Sequence, residues 1–320
     1  MSTFPERLAA IDVGSNTILL LIAEYDPAAG LSIIHEAEDQ PRLGAGLGDQ
    51  AIPSVIESER SERRNPAAVN RLRPQSIERA LRSLERMRDL CRQHGVTRIA
   101  AVATAAVREA QNGDEFVEQV RRLGIPLRVV SPEQEAELAF RSAAYHFPVE
   151  ARMLVADIGG GSLELIGAEN HRLELITSLP LGAVRLTEYR LPLARLREEI
   201  RQHLSRALAG DAWTGARVIG SGGTFGNLAG ITLARRGEPP GTTIQGVEIT
   251  ADEVESLLAE LAGMDLDRRR QVPGLRPERA DIIVAGLAVA TELLALVRAT
   301  GATINRYGLR EGVLLDMLDA

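Results

Sequence analysis

Two short stretches of the chain place a carboxylate, small turn residues and a hydroxyl at one common spacing. The first is Asp12-Val13-Gly14-Ser15-Asn16-Thr17 and the second is Asp157-Ile158-Gly159-Gly160-Gly161-Ser162. A shift of 145 residues carries Asp12 onto Asp157, Gly14 onto Gly159 and Thr17 onto Ser162, with matching apolar runs on either side. A turn without bulky side chains lets several backbone N–H groups converge on an anion, and an Asp beside it can hold a metal ion or a water. The chemistry these residues suit is phosphate handling. Its repetition points to a duplicated domain with a phosphate clamped between the halves.

Such turns work only if strands hold them. Each follows an apolar run ending in Asp and precedes a second apolar run, which is the pattern of a tight hairpin. The first half reads as strands over 8–13, 17–25 and about 31–36, a flexible loop over 42–48, and a polar excursion over 49–75. Ile77, Ala80, Leu81, Leu84, Met87 and Cys91 recur at three-to-four spacing, predicting an amphipathic helix from Ser76 that Gly95 ends. A strand over 98–103, a helix capped by Asp114, a strand over 127–130 and a helix opened by Pro132 follow. The second half repeats the order, with strands at 153–158, 162–167 and 172–178 and a helix over 193–208. Val218–Thr224 then reads as a strand entering a glycine turn and a helix N-terminus. Helices over 251–263 and 278–299, a strand near 302–307 and a short helix from Arg310 complete the chain. This alternation predicts α/β domains with mixed sheets covered by helices.

Composition narrows the chemistry. A chain of 320 residues is long enough for two domains, each with its own core. No apolar run approaches the ~20 residues of a membrane span, and the start lacks a signal-peptide pattern, so the expected location is the cytoplasm. The net charge of −7 argues against a general nucleic-acid binder. Cys91 is the only cysteine, which excludes an internal disulfide and a thiolate metal site and suits a small buried hydrophobe. All 37 basic residues are Arg. A Walker P-loop and Schiff-base chemistry both need a Lys, so both are excluded. Phosphate must instead be held by Arg, backbone amides, hydroxyls and metal. The five His residues are scattered without metal-ligand spacing.

Further motifs identify the branch. They are Ala103-Thr104-Ala105-Ala106-Val107-Arg108-Glu109-Ala110, the second turn extended to Glu164, Gly220-Ser221-Gly222-Gly223-Thr224, and Gly308-Leu309-Arg310-Glu311-Gly312. With these the chain resembles the exopolyphosphatase and guanosine pentaphosphate phosphohydrolase family (Ppx/GppA), within the actin-like ATPase superfamily. The resemblance runs from about Ile11 to the C-terminus in the family's order. It implies duplicated actin-like (ribonuclease H-like) domains with an interdomain cleft. The first would cover 1–133 plus a C-terminal helix at about 308–320, and the second 134–307.

The resemblance also implies roles. Gly14, Ser15, Asn16, Thr17, Gly159, Gly160, Gly161 and Ser162 would hold phosphate, and Gly222, Gly223 and Thr224 would meet further phosphates of a chain. Arg108 would add a forked cationic contact. Glu135, in Ser131-Pro132-Glu133-Gln134-Glu135-Ala136-Glu137, takes the place of the general base, while Gln134 and Glu137 depart from the family pattern. Asp12, Asp157 and Glu164 would bind Mg²⁺ or another divalent cation such as Mn²⁺, with Glu164 also able to orient the water.

The implied activity is removal of terminal phosphate from polyphosphate, with guanosine pentaphosphate as the alternative substrate. A sugar or small-acid kinase and a non-catalytic alarmone or polyphosphate sensor are the readings from other classes. No nucleic-acid or membrane partner is expected, and the family habit suggests a homodimer. The chain corresponds to the short form without an HD-type C-terminal domain, which implies a preference for short chains. Asn305-Arg306 stands where relatives commonly carry Ser-Asp.

Overall fold

The structure, a computed structural model, describes residues 6–45, 47, 70–149, 151–170 and 172–319. It divides into two compact units, Met1–Ser131 with Met317–Ala320, and Pro132–Asp316. The expected boundaries differ at the C-terminus. The start of the last helix belongs to the second unit, because Glu311 and Gly312 lie against the helix that opens at Pro132.

The first unit contains β1 (Glu6–Val13), β2 (Ile18–Asp26), β3 (Gly30–Asp39), α1 (Pro74–Gln93), β4 (Arg98–Ala103), α2 (Ala105–Glu109), α3 (Gly113–Arg122) and β5 (Leu127–Val129). The sheet runs β3-β2-β1-β4-β5, with the hairpin strands antiparallel and β1, β4 and β5 parallel. Leu8 to Ile11 of β1 are fully buried, as a central strand covered on both faces requires. The apolar stripe of α1 buries Ala80, Leu84, Met87 and Cys91, and burial pushes the Cys91 thiol up to about 11. Asp114 lies in the first turn of α3, and the N-cap position falls to Asn112, whose side chain makes no capping hydrogen bond. Its side chain instead exchanges two hydrogen bonds with the backbone of Leu72, at 2.8 and 3.1 Å, tying the helix start to the segment before α1. The polar excursion lies outside the described residues over 49–69, and Pro74 opens α1 at its end.

The second unit contains α4 (Pro132–His146), β6 (Met153–Ile158), β7 (Leu163–Glu169), β8 (Arg172–Leu179), α5 (Ala183–Glu188), α6 (Leu193–Leu208), β9 (Arg217–Ser221) and α7 (Gly222–Arg235). Then come β10 (Glu248–Thr250), α8 (Ala251–Ala262), α9 (Leu266–Arg269), α10 (Ile283–Leu296), β11 (Gly301–Ile304) and α11 (Gly308–Asp319). The helix expected from 278 begins at Ile283, behind a single 3-10 turn at Pro277–Arg279. The sheet order β8-β7-β6-β9-β11 repeats that of the first unit, with β10 added at the edge. The repetition reaches into detail. The ladder β2–β3 shifts register between Ile22 and Ala23, and β7–β8 shifts between Gly167 and Ala168, the same positions after the 145-residue offset.

Small residues seat α4 on this second sheet. Ala136, Ala139 and Ala143 form one face and join a buried cluster with Val155, Ile166, Ala168 and Ile219 of β6, β7 and β9. Spaced at i, i+3 and i+7, they let the helix axis approach the strands closely. That contact fixes where the first turn of α4 sits.

Candidate active site

The first turn joins β1 to β2. Gly14 N–H donates to the Thr17 carbonyl at 3.0 Å, closing the loop. The chain returns after β3 to grip it from outside, with Arg42 N–H donating to Asn16 O at 3.1 Å and Gly44 N–H to Ser15 O at 2.7 Å. The expected flexible loop is thus tied to the turn over Arg42–Ala45, because these amides complete the carbonyls the turn leaves unpaired. Ser15 and Asn16 amides donate to no backbone carbonyl among the described residues. Asn16 is buried, and neither of its side-chain amide atoms meets a hydrogen-bond partner among the described residues. Leaving such a group unsatisfied costs on the order of 1–3 kcal/mol, which a phosphate oxygen would recover.

The second turn joins β6 to β7 with the same closure, Gly159 N–H to Ser162 O at 3.0 Å. The amides of Gly160 and Gly161 donate to no backbone carbonyl among the described residues, while Gly159 and Gly160 carbonyls accept from Ala183, Val184 and Arg185. Arg185 also donates through Nε to Gly161 O at 2.7 Å. Gly182 lies so close that a Cβ there would overlap the backbone of Gly160 and Gly161. Gly44 is its counterpart, where a Cβ would fall 2.8 Å from that of Ser15.

Beside this second turn the sheet lays out a row of polar side chains. Asp157 pairs with Glu164 across β6–β7, Glu164 with Ser178 across β7–β8, and Asp157 with Ser221 across β6–β9. Directly opposed residues face the same side of a sheet, so the four side chains meet. Ser221 donates to Asp157 Oδ2 at 2.9 Å, and Ser178 donates to Glu164 Oε1 at 2.9 Å. Burial pushes the Asp157 carboxyl above its ordinary range, opposed by the Ser221 hydrogen bond and the charge of Arg310. Glu164 is only 2% exposed, and burial pushes its carboxyl well above the ordinary range. The neighbouring charge of Glu135 adds to this, as does that of Asp157, while hydrogen bonds from Ser162 and Ser178 act against it. Glu135, in the first turn of α4, is itself buried. Three carboxylates thus share one electrostatic neighbourhood at the edge of an amide-lined turn, and like charges so placed resist ionising together.

The start of α7 closes the other side. Gly222 adopts φ +82°, and a Cβ there would run into Asp157 and approach Ile158 O to 2.7 Å, so only glycine lets the backbone pass the carboxylate. The buried Arg279 guanidinium lies over Gly223. Thr224 is buried with its hydroxyl against Gly286 of α10, so it serves the helix contact. In the first unit, Arg108 donates to Val130 O at 2.9 Å, which holds it at the ends of β4 and β5.

Sequence reasoning passed over Ser178, Arg185 and Arg279 and quoted Ser221 and Arg310 only as motif members. One signal was available. Leu181-Gly182-Ala183 repeats Leu43-Gly44-Ala45, and each tripeptide buttresses its turn.

The carboxylate pair suits a hard divalent cation. Two oxygen donors on adjacent strands, with proton affinity raised by burial and mutual repulsion, would exchange a proton for the ion. No group of three or more His, Cys, Asp or Glu among the described residues makes a complete metal cage. A cation that keeps several waters, as Mg²⁺ does, matches such a partial set.

Comparison with known proteins matches residues 21–320 to the model of the Ppx/GppA phosphatase family. The chain is 28% identical over 328 residues to exopolyphosphatase 1 of Mycobacterium tuberculosis, covering 98% of this chain and 89% of that protein. It resembles the crystal structure of a Ppx/GppA family member from Aquifex aeolicus, with TM-score 0.76, 27% identity and 98% of each chain covered. An exopolyphosphatase from Cytophaga hutchinsonii shares the fold, with TM-score 0.82 at 24% identity over 98% of each chain. The duplicated α/β architecture of the actin-like ATPases is therefore the fold of this chain.

Proposed function

The chain belongs to the Ppx/GppA phosphatase family and is a phosphoanhydride hydrolase, and from that premise we propose that it is an exopolyphosphatase releasing orthophosphate from the end of short inorganic polyphosphate chains. The observation that carries the reading is the junction of Glu135, Glu164 and Asp157 with the open amides of Gly160 and Gly161. Hydrolysis needs a water held in line, a group to take its proton, and donors for the charge on the terminal phosphate. Each need has a residue in this unit.

Glu135 takes the proton as the water oxygen bonds to the terminal phosphorus. The bond to the bridging oxygen breaks, and the shortened chain leaves with the electron pair. Glu164 orients the water while Ser162 and Ser178 hold its carboxylate. The Gly160–Ser162 backbone grips phosphate oxygens, with Arg310 supplying positive charge; in the first unit the Gly14–Thr17 turn and Arg108 are proposed as phosphate-binding groups in their own right. A divalent cation held by Asp157 and Glu164 would neutralise phosphate charge when bound. Among the described residues no helix is long and apolar enough to cross a membrane; a cytoplasmic location and a homodimer are part of the proposal.

The test is phosphate release, with Mg²⁺, from short polyphosphate, long polyphosphate and guanosine pentaphosphate side by side. Faster release from short polyphosphate supports the reading, and faster release from the nucleotide replaces it with the alarmone activity. Glu135→Gln should lower turnover by ~10²–10⁴, the usual worth of a general base, while polyphosphate still binds.

A further inference from the structure

Glu311, in the first turn of α11, is 2% exposed and outside the carboxylate cluster, yet it carries a full set of partners. Ser142 donates to its Oε2 at 2.7 Å, and His146 Nε2 lies 2.9 Å from both its oxygens. The Ser142 oxygen in turn accepts from Asn305 Nδ2 at 2.9 Å, and Asn305 Oδ1 accepts from Gln245 Nε2 at 3.3 Å. Asn305 N–H continues the β9–β11 ladder by donating to Gly220 O at 2.8 Å. A Cβ on Gly312 would overlap the Leu138 carbonyl, so the two helices touch backbone to backbone there.

The network joins the elements that the reaction needs in register. Ser142 and His146 are seven and eleven residues beyond Glu135 on α4. At about 100° per residue, all three lie within roughly 40° of one another on a single stripe of the helix. The other flank of the clamp begins at Gly308, which lies against Asp157 and Ser221, and continues through Arg310, whose charge acts on Asp157. Alanines seat α4 on the sheet, and the buried carboxylate with two hydrogen-bond partners adds a directional constraint on the position of the helix along its axis.

We propose that Glu311 is a positioning residue for the general base, holding α4 through Ser142 and His146 so that Glu135 stays at the distance from Glu164 and Asp157 that proton transfer needs. The inference rests on the reading of Glu135 as the base. Asn305 extends the clamp to the β9–β11 edge, which gives the Asn305-Arg306 departure a structural role.

The experiment is a double-variant cycle in the full-length protein with short polyphosphate and Mg²⁺. Glu311→Gln and Ser142→Ala are each made alone and combined with Glu135→Gln. Alone, each should lower kcat about tenfold with KM within twofold, as loss of alignment without loss of binding predicts. In the Glu135→Gln background neither should lower the residual rate further, because there is no base left to align. An equal fold-loss in both backgrounds, or an effect confined to KM, overturns the inference while leaving the general-base reading intact. Near-normal turnover by Glu135→Gln alone overturns both. If Glu311→Gln does not fold, Ser142→Ala carries the same cycle by itself.

Discussion

Removing one hydroxyl should move the working pH of this enzyme. Ser178 donates to Glu164 Oε1 at 2.9 Å from the neighbouring strand. Burial and the charges of Glu135 and Asp157 already hold the Glu164 carboxyl well above the ordinary range, and this hydrogen bond is one of the two that oppose them. A hydrogen bond to a charged group is worth about 1.5–3 kcal/mol, part of which a water recovers in Ser178→Ala. The remainder, about 1.4 kcal/mol, raises the Glu164 carboxyl further and disfavours its ionised form about tenfold. On the proposed role of ionised Glu164 in orienting the water, the variant should need a higher pH to reach the same rate. The assay is kcat/KM for phosphate release from short polyphosphate from about pH 5 to 9, at one saturating Mg²⁺ concentration for both proteins. We expect the rate on the acid limb to fall about tenfold while the plateau stays within about twofold of wild type. An acid limb that does not move refutes the reasoning. So does a uniform loss across the pH range, which would mean that Ser178 positions Glu164 without affecting its charge.

Three further outcomes follow from the same geometry. Glu164→Gln should abolish most turnover yet raise the metal-free melting temperature at neutral pH. A carboxyl whose folded-state titration is raised contributes stability below its unfolded value and loses it as pH rises through the folded one, so wild type carries the cost at pH 7 and the two proteins converge on acidification. At ~2–4 °C per kcal/mol the gain is readable by thermal melting, and a lower melting temperature at pH 7 would count against it. Asn16→Ala should leave the metal-free, substrate-free protein at least as stable, because two buried and unmatched amide atoms are removed at ~1–3 kcal/mol, while KM for polyphosphate rises. Loss of stability with unchanged KM would show that Asn16 supports the turn and not the ligand. Gly182→Ala should keep the fold, checked by circular dichroism, but lower kcat/KM by ~10²-fold, because the new methyl displaces the Gly160–Gly161 backbone. Unimpaired kinetics would mean that those amides do not bind phosphate.

What the sequence disclosed follows the range of the forces involved. The strand over 98–103 and the helix over 193–208 fall where periodicity places them, because each buries a face that local pattern alone declares. The repeated turn was visible because its geometry depends on residue size over six positions. The partners of Glu164 were not, because Ser178 meets it only through a ladder whose register shifts at Gly167, a tertiary property. The Leu-Gly-Ala buttress escaped for a simpler reason. Its two copies are 138 residues apart while the turns are 145 apart, so no single shift aligns both. The role of Glu135 came from family resemblance, since acidic residues in a first helical turn are ordinary on electrostatic grounds. Its burial beside Glu164 is what distinguishes it.

The duplication holds in the backbone of the turns and their five shared strands and is broken in side chains, and the break separates two tasks. Carried back by the offset, Glu164 falls on Leu19; across the strands of the first sheet, Asp12 faces Leu19 and Val102 where Asp157 faces Glu164 and Ser221. Both units therefore keep the small-residue turn, its closing hydrogen bond and its buttress, which is everything an anion cradle needs. The second unit surrounds its Asp with a second carboxylate, hydroxyls that hold it, and a buried Glu on the covering helix, whereas Asp12 is flanked by Leu19 and Val102, with Glu38 one strand further on. A phosphate bound by either turn meets amides, but in-line attack by water needs a proton acceptor at one end alone. Leu19 leaves the first unit without a counterpart of Glu164, so on the proposed roles the first turn grips phosphate and the second is where water attacks.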